Sequence, residues 1–161
     1  MTEDEPLRPY FSPQDVEAEV KRHFDEAGGG LSDYSSSLRE VISGMDGEYE
    51  IDVVAGFLAL GVRMRVLIEC KHHRRPVSRD VVALLVHKVQ SSGSQKGVVV
   101  STSGFQSGAL EVADKHGVAL LHLKAGGFAR IREAQHTPIQ ALPPYLLESV
   151  LPATLQSWLA Q

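Results

Sequence analysis

The chain has 161 residues, a formal net charge of −4 and one cysteine. Its length suits one domain with its own core. The lone Cys70 excludes an intramolecular disulfide and a cysteine-rich zinc site, so we expect a reducing, cytoplasmic setting. Residues 1–6 are acidic and precede no apolar segment, which argues against a signal peptide, and the apolar runs are too short for a membrane span.

Charge is divided unevenly along the chain. Residues 1–52 contain four Lys/Arg and fourteen Asp/Glu, a net charge of −10, whereas residues 53–161 contain twelve and six, a net charge of +6. Basic side chains are densest directly after residue 70: Lys71, His72, His73, Arg74, Arg75 and Arg79. Because phosphate affinity depends on local positive charge, we interpret this run as a nucleic-acid-binding segment; a solvated surface turn is the alternative.

The first half of the chain predicts a polar arm, one helix and three strands. We expect the arm at residues 1–13, with Ser12 capping a helix that starts at Pro13 and ends at glycines 28–30. The strands are expected at about residues 38–42, 48–57 and 62–71.

The second half predicts two helices that alternate with two strands. The helices are expected at about 78–92 and 106–116, and the strands at 98–100 and 118–123. Three antiparallel strands followed by this alternation indicate an α/β fold with a mixed sheet. Residues 124–161 contain four prolines and are predicted to form a C-terminal extension that packs on the core or in a subunit contact.

Two neighbouring predicted strands carry acidic residues among apolar ones. Because side chains alternate along a strand, Glu69 and Lys71 leave the same face, with Cα atoms roughly 6.6 Å apart. On the preceding strand, the same alternation predicts that Ile51 and Val53 share one face and that Asp52 lies on the other. Both acids should therefore lie on one surface of the sheet.

Two carboxylates and an ammonium group on one surface suit metal-dependent chemistry at phosphorus. Asp52 and Glu69 offer the oxygen ligands that Mg²⁺ or Mn²⁺ prefers. Lys71 could orient the attacking water and neutralise developing negative charge. A Glu-x-Lys triplet alone is more often an exposed ion pair on a strand, but the upstream Asp52 and the basic run favour a nuclease.

These residues, together with a later segment, resemble the Mrr-type restriction endonuclease domain of the PD-(D/E)xK nuclease superfamily. The resemblance covers roughly residues 14–123 and rests on Ile51-Asp52, Glu69-Cys70-Lys71 and Gly97–Phe105, followed by Ala109 and Ala113. It implies a three-layer α/β/α sandwich with a central mixed β-sheet, and a DNA endonuclease that uses Mg²⁺ or Mn²⁺. It also implies that Asp52 and Glu69 bind the metal and that Lys71 is the catalytic lysine.

The resemblance suggests two further site residues. Family members often carry an acid on the first helix, for which Glu17 is the best match and Glu19 the competitor; plain surface charge is the alternative for either. Related nucleases place polar residues on the second helix, where Gln90 could reach the edge of the site; a solvated helix face is the alternative.

Mrr enzymes usually carry a separate DNA-reading domain, and no segment of this chain resembles one. A partner could therefore supply DNA recognition. Two other functions remain open: a non-cleaving domain, derived from a nuclease, that binds nucleic acid or protein, and a structure-selective junction resolvase. A resolvase would be expected to form a homodimer so that two sites cut two strands. We do not expect the protein to bind a membrane.

Overall fold

The computed structural model describes residues 11–124 and 127–132. Within these ranges the helices and strands are, in chain order, α1 (Pro13–Gly28), β1 (Ser32–Gly44), β2 (Gly47–Ala59), β3 (Val62–Lys71), α2 (Arg79–Ser91), β4 (Lys96–Ser101), α3 (Ser107–His116), β5 (Ala119–Lys124) and β6 (Gly127–Arg132). Most of the predicted arm, and residues 133–161 of the predicted C-terminal extension, lie outside the described residues. No helix in the described ranges has both the length and the apolar character needed to cross a membrane.

The described strands form one mixed sheet in the order β1-β2-β3-β4-β5-β6. The strand pairs β1–β2, β2–β3 and β5–β6 are antiparallel, whereas β3–β4 and β4–β5 are parallel. The predicted mixed sheet is confirmed, but β6 was not predicted. Its pairing with β5 places residues 127–132, at the start of the predicted extension, in the sheet.

Strand β1 is longer than predicted because its serine-rich first half also pairs with β2. Ser35, Ser36 and Ser37 lie opposite Gly56, Ala55 and Val54. Serine has little strand preference of its own, so the partner strand determines this pairing.

Helices cover both faces of the sheet, as the predicted three-layer sandwich requires. On one face, α1 buries Val16 and Val20 against apolar residues of β2, β3 and β4. On the other face, α2 and α3 bury Val82, Leu85 and Ala109 in a second cluster with the same strands. Burial of these two clusters is the main favourable contribution to folding.

Helix α1 begins at the predicted residue because its cap is complete. The Ser12 side chain accepts a hydrogen bond from the Asp15 backbone N at 3.2 Å, and the Asp15 carboxylate accepts one from the Ser12 backbone N at 2.8 Å. This reciprocal pair is a capping box, with Pro13 at the first helical position. The cap fixes the start of α1 and therefore the positions of Glu17 and Glu19, which follow about one turn later.

The turn between β1 and β2 is tied to the end of α2 through Asp46. Its carboxylate accepts hydrogen bonds from the Ser91 and Tyr49 hydroxyls, and the His87 ring Nε2 lies 2.6 Å from it. The Ser91 hydroxyl bond, followed by those of Tyr49 and His87, holds the pKa of Asp46 well below its usual range. The Met45 backbone N also donates to the Ser91 hydroxyl at 3.0 Å. These bonds fix the orientation of α2 on the sheet.

Helix α2 packs tightly against β4 at Gly97. A Cβ atom at Gly97 would lie 3.0 Å from the Leu85 side chain and 3.2 Å from that of Val89. We expect Gly97→Ala to lower the free energy of unfolding by about 1–3 kcal/mol, because a methyl group would overpack this contact. Urea unfolding measures the change.

The matched control for this prediction is Gly30→Ala. A Cβ atom at Gly30 would meet no other atom within 4 Å, so this substitution should leave stability unchanged or slightly raised. Equal unfolding midpoints for the two variants would show that the contact at Gly97 is not tight.

Candidate active site

Strands β2 and β3 separate at the end where the predicted acids lie. Their backbone pairing runs from the turn to Val53 and Ile68, although β3 continues to Lys71. Asp52 directly precedes Val53, the last paired residue of β2. Its Oδ2 accepts a hydrogen bond from the backbone N of Cys70 at 2.7 Å. A side-chain carboxylate thus takes the place of a backbone carbonyl, and the gap between the strands opens around it.

The alternation of β2 breaks at Asp52, so the prediction that Ile51 and Val53 share a face was wrong. Ile51 packs in the cluster below α2 and α3, whereas Val53 packs in the cluster below α1. Arg39 of β1 lies across from Asp52, between two regular β1–β2 pairs. Its φ angle is 50°, in the left-handed region. A left-handed residue rotates the chain, so the two-residue period of a regular strand does not hold here.

On β3 the predicted alternation is confirmed. Ile68 and Cys70 pack with the cluster below α1, and Glu69 lies on the opposite face. Burial raises the pKa of the Cys70 thiol far above its usual range, so this thiol remains neutral at ordinary pH. Cys70 is therefore a packing residue.

Glu69 is nearly buried, at 6% exposure, and each of its carboxylate oxygens contacts a lysine ammonium. Oε2 lies 3.2 Å from Nζ of Lys71, as the Glu-x-Lys spacing predicts. Oε1 lies 2.5 Å from Nζ of Lys88, on α2. Sequence reasoning missed Lys88. The available signal was its position three residues after the buried Leu85, which places a lysine on the sheet-facing side of the helix.

The environment of Asp52 disfavours the ionised form of its carboxyl group. Burial raises its pKa above the ordinary value, the hydrogen bond from the backbone N of Cys70 lowers it, and the negative charge of Glu69 raises it again. The net shift is upward. A cation that approaches this carboxylate would stabilise its ionised form.

The structure brings Glu17, rather than Glu19, to the predicted acids. Nε of Arg39 donates to Oε2 of Glu17 at 2.9 Å, and the Glu17 side chain is only 12% exposed. The negative charge of Glu17 also contributes to the raised pKa of Asp52. Glu19 instead pairs with Arg22 further along α1, at 2.5 Å.

Part of the basic run adjoins the candidate catalytic lysine. Lys71, His73, Arg74 and Arg75 line a surface cavity of about 370 Å³, in which the last three are exposed. Positive charge therefore extends from Lys71 across the neighbouring surface. Such a surface is suited to the phosphates of a nucleic-acid backbone.

The remaining predicted binding residues do not line this cavity. Nδ1 of His72 is 3.1 Å from the Thr102 hydroxyl, which ties this ring to the loop after β4. Arg79 starts α2, and its side chain lies next to Gly108 of α3. Gln90 is exposed and lines a separate cavity of about 300 Å³ between the end of α2 and the start of β4. The structure does not bring Gln90 together with the acids.

The donor set at Asp52 and Glu69 fits a hard divalent cation. Among the described residues, no group of three or more His, Cys, Asp or Glu side chains is arranged to hold a metal ion. Mg²⁺, however, commonly binds proteins through one or two carboxylates and completes its octahedron with waters and substrate phosphates. The ammonium of Lys88 on Oε1 of Glu69 shows that a cation is favoured at this carboxylate.

Comparison with protein families identifies the chain. The model of the Mrr catalytic domain family, described as restriction endonuclease, matches residues 10–125. The chain belongs to this restriction endonuclease family. The family is one of nucleases, and the match covers every strand from β1 to β5. The resemblance seen in the sequence is therefore confirmed. No curated protein matches the chain.

The fold of the chain is similar to that of one solved structure, AF1548, and two others match it more weakly. AF1548, described as a protein of unknown function, has a TM-score of 0.56 and 24% identity over 68% of this chain and 57% of its own. The MspJI restriction endonuclease in complex with a 27-mer oligonucleotide has a TM-score of 0.46 and 21% identity over 67% of this chain and 25% of its own. SPO1766 from Silicibacter pomeroyi, also described as a protein of unknown function, has a TM-score of 0.45 and 18% identity over 87% of this chain and 82% of its own. The chain thus spans little more than half of AF1548 and a quarter of MspJI.

The charge on Asp52 predicts that Asp52→Asn is more stable than the wild type at pH 7 without metal. The substitution removes a poorly solvated charge next to Glu69, while the amide oxygen can still accept the hydrogen bond from Cys70. Partial solvent screening limits the gain to about 1 kcal/mol or less. The gain should shrink as the pH falls through the raised pKa towards the unfolded-chain value of about 3.9, because the wild-type carboxyl then becomes neutral.

Urea unfolding at pH 7 and at about pH 3.5 tests both parts of this prediction. The matched control, Asp80→Asn in the first turn of α2, should give no gain, since an acidic side chain there stabilises the helix. Lower stability of Asp52→Asn at pH 7 would contradict the account of the site.

Proposed function

We propose that the protein is a metal-dependent endodeoxyribonuclease that hydrolyses phosphodiester bonds in DNA. The observation that carries this proposal is the grouping of Asp52, Glu69 and Lys71 where β2 and β3 separate. The cationic cavity that begins at Lys71 supports it, and so does membership of a nuclease family.

In this proposal Asp52 and Glu69 hold Mg²⁺ or Mn²⁺. The bound ion supplies Lewis-acid charge at the scissile phosphate. Both carboxylates are already positioned, Asp52 by the backbone N of Cys70 and Glu69 by burial and its two lysines. Glu17 is an auxiliary acid of the site, and Arg39 compensates its charge.

Lys71 is the residue proposed to act on water. Hydrolysis adds water across a P–O bond, which yields one hydroxyl and one phosphomonoester. The Lys71 side chain is 26% exposed and lines the cationic cavity, so its ammonium can reach both a water and a phosphate oxygen. It would orient the water and offset the negative charge that develops on phosphorus.

The exposed side chains of His73, Arg74 and Arg75 are proposed to bind phosphates next to the cleaved one. His72 and Arg79 lie at the margins of this surface. Gln90 is left out of the proposed interface because it lines a separate cavity. Contacts to phosphates alone would give affinity that depends strongly on salt and little on DNA sequence.

Cleavage is favoured over the alternative of a non-cleaving binding domain. A surface that only binds phosphates gains nothing from clustered acids, because the acids repel the ligand. Here Asp52 and Glu69 are kept beside the cationic cavity, although burial and Glu69 both oppose the charge on Asp52. A bound divalent cation gives these carboxylates a role.

Nicking of supercoiled plasmid at low salt, with Mg²⁺ and then with Mn²⁺, tests the proposal. We expect metal-dependent nicking by the wild type and a loss of at least about a hundredfold in Glu69→Gln and Lys71→Met, because each removes a group that acts in the transition state. Lys115→Met is the matched control, since Lys115 is exposed on α3 and its loss changes the net charge equally. Nicking by Glu69→Gln at the wild-type rate would refute the assignment.

A further inference from the structure

The function proposed above gives Lys88 no contact with water or phosphate, although its ammonium contacts the central acid of the site. Its Nζ lies 2.5 Å from Oε1 of Glu69. The two side chains are only 14% and 8% exposed, so this ion pair is shielded from water. Lys71 holds the other oxygen of Glu69 at 3.2 Å. Of these two lysines, only Lys71 lines the cationic cavity.

The surrounding structure fixes the backbone of Lys88. Leu85, one turn earlier on α2, is 1% exposed and belongs to the cluster below α2 and α3. His87, the adjacent residue, lies 2.6 Å from Asp46 in the β1–β2 turn. Helix α2 is therefore held by two contacts just before Lys88, and the Lys88 ammonium can leave Glu69 only by a change of side-chain conformation.

A divalent cation and the Lys88 ammonium compete for the same oxygen. A buried carboxylate without a counter-ion is strongly unfavourable, so Lys88 stabilises Glu69 when no metal is bound. Once a metal ion binds Glu69, the two cations lie within a few ångströms and repel each other. Lys88 thus favours the metal-free state of the site.

We infer that Lys88 is a positioning residue that serves as the resident counter-ion of Glu69, and that its ammonium must leave Oε1 before a divalent cation binds there. This inference rests on the proposed function. It assigns to Lys88 the control of metal affinity, and to Lys71 the contact with water and phosphate. The site would then require a higher metal concentration than its two carboxylates alone would need.

Binding of Mn²⁺ to the full chain, measured by electron paramagnetic resonance and by calorimetry, tests the inference. We expect Lys88→Met to bind Mn²⁺ about tenfold or more tightly than the wild type, because one unit of positive charge is removed from a shielded site. Lys88→Arg keeps the charge and should bind as the wild type does. Lys115→Met, which removes an exposed charge on α3, should also leave the affinity unchanged.

A second variant and a second readout guard against misfolding. Lys88→Gln removes the charge but keeps a hydrogen-bond donor, and should also bind Mn²⁺ more tightly. Without metal, both neutral variants should melt at a lower temperature than the wild type, and saturating Mn²⁺ should raise their Tm by more than it raises that of the wild type.

The outcomes separate this inference from the proposed function. Mn²⁺ binding that requires Glu69 but is no tighter in Lys88→Met or Lys88→Gln would overturn the inference alone. Weaker DNA binding at unchanged Mn²⁺ affinity would also overturn it and assign Lys88 to phosphate contact. Equal Mn²⁺ titrations for the wild type and Glu69→Gln would contradict the proposed function, and this inference with it.

Discussion

The hydrogen bond from the backbone N of Cys70 to Asp52 is the interaction on which the site depends. Pairing of β2 and β3 stops at Val53 and Ile68, so the backbone N–H of Cys70, two residues after Ile68, needs another acceptor. A buried N–H without a partner is costly, and the carboxylate of Asp52 removes that cost. The same bond lets the strands separate and leaves Asp52 beside Glu69. This one hydrogen bond therefore satisfies a backbone donor of the fold and positions an acid of the candidate site.

The electrostatics of the site follow from this arrangement. Glu17 and Glu69, from two other elements, both lie close enough to Asp52 to raise its pKa. Each of the three acids is held by a donor: Arg39, the backbone N of Cys70, or the two lysines 71 and 88. The pKa of Asp52 remains raised, mainly by burial and also by the negative charge of Glu69, so positive charge nearby would stabilise its ionised form. A divalent cation that binds at this point would supply that charge.

Local patterns made part of this structure predictable. The sequence Ser12-Pro13 predicted the start of α1 because a cap and a first-turn proline act over a few residues. The pairing of Glu69 with Lys71 followed from the two-residue period of a regular strand. The same alternation placed Asp52 on the surface of Glu69, and the family resemblance then implied a metal-binding role for both acids.

Other features depend on contacts between distant parts of the chain. The face of Asp52 could not be read from alternation, because the left-handed Arg39 lies across from it on β1. Lys88 reaches Glu69 only because α2 packs over β3 and β4, and the sequence pattern did not indicate that register. Strand β6 exists through its pairing with β5, and its own six residues give little signal.

The central claim is that the separation of β2 and β3 creates a binding site for a divalent cation between Asp52 and Glu69. An anomalous X-ray difference map of crystals soaked in Mn²⁺ is the most direct test. The account predicts one strong peak within coordination distance of both carboxylates, with the Asp52–Cys70 hydrogen bond still in place. A peak elsewhere, or none at the two carboxylates in a soaked crystal of active protein, would contradict it.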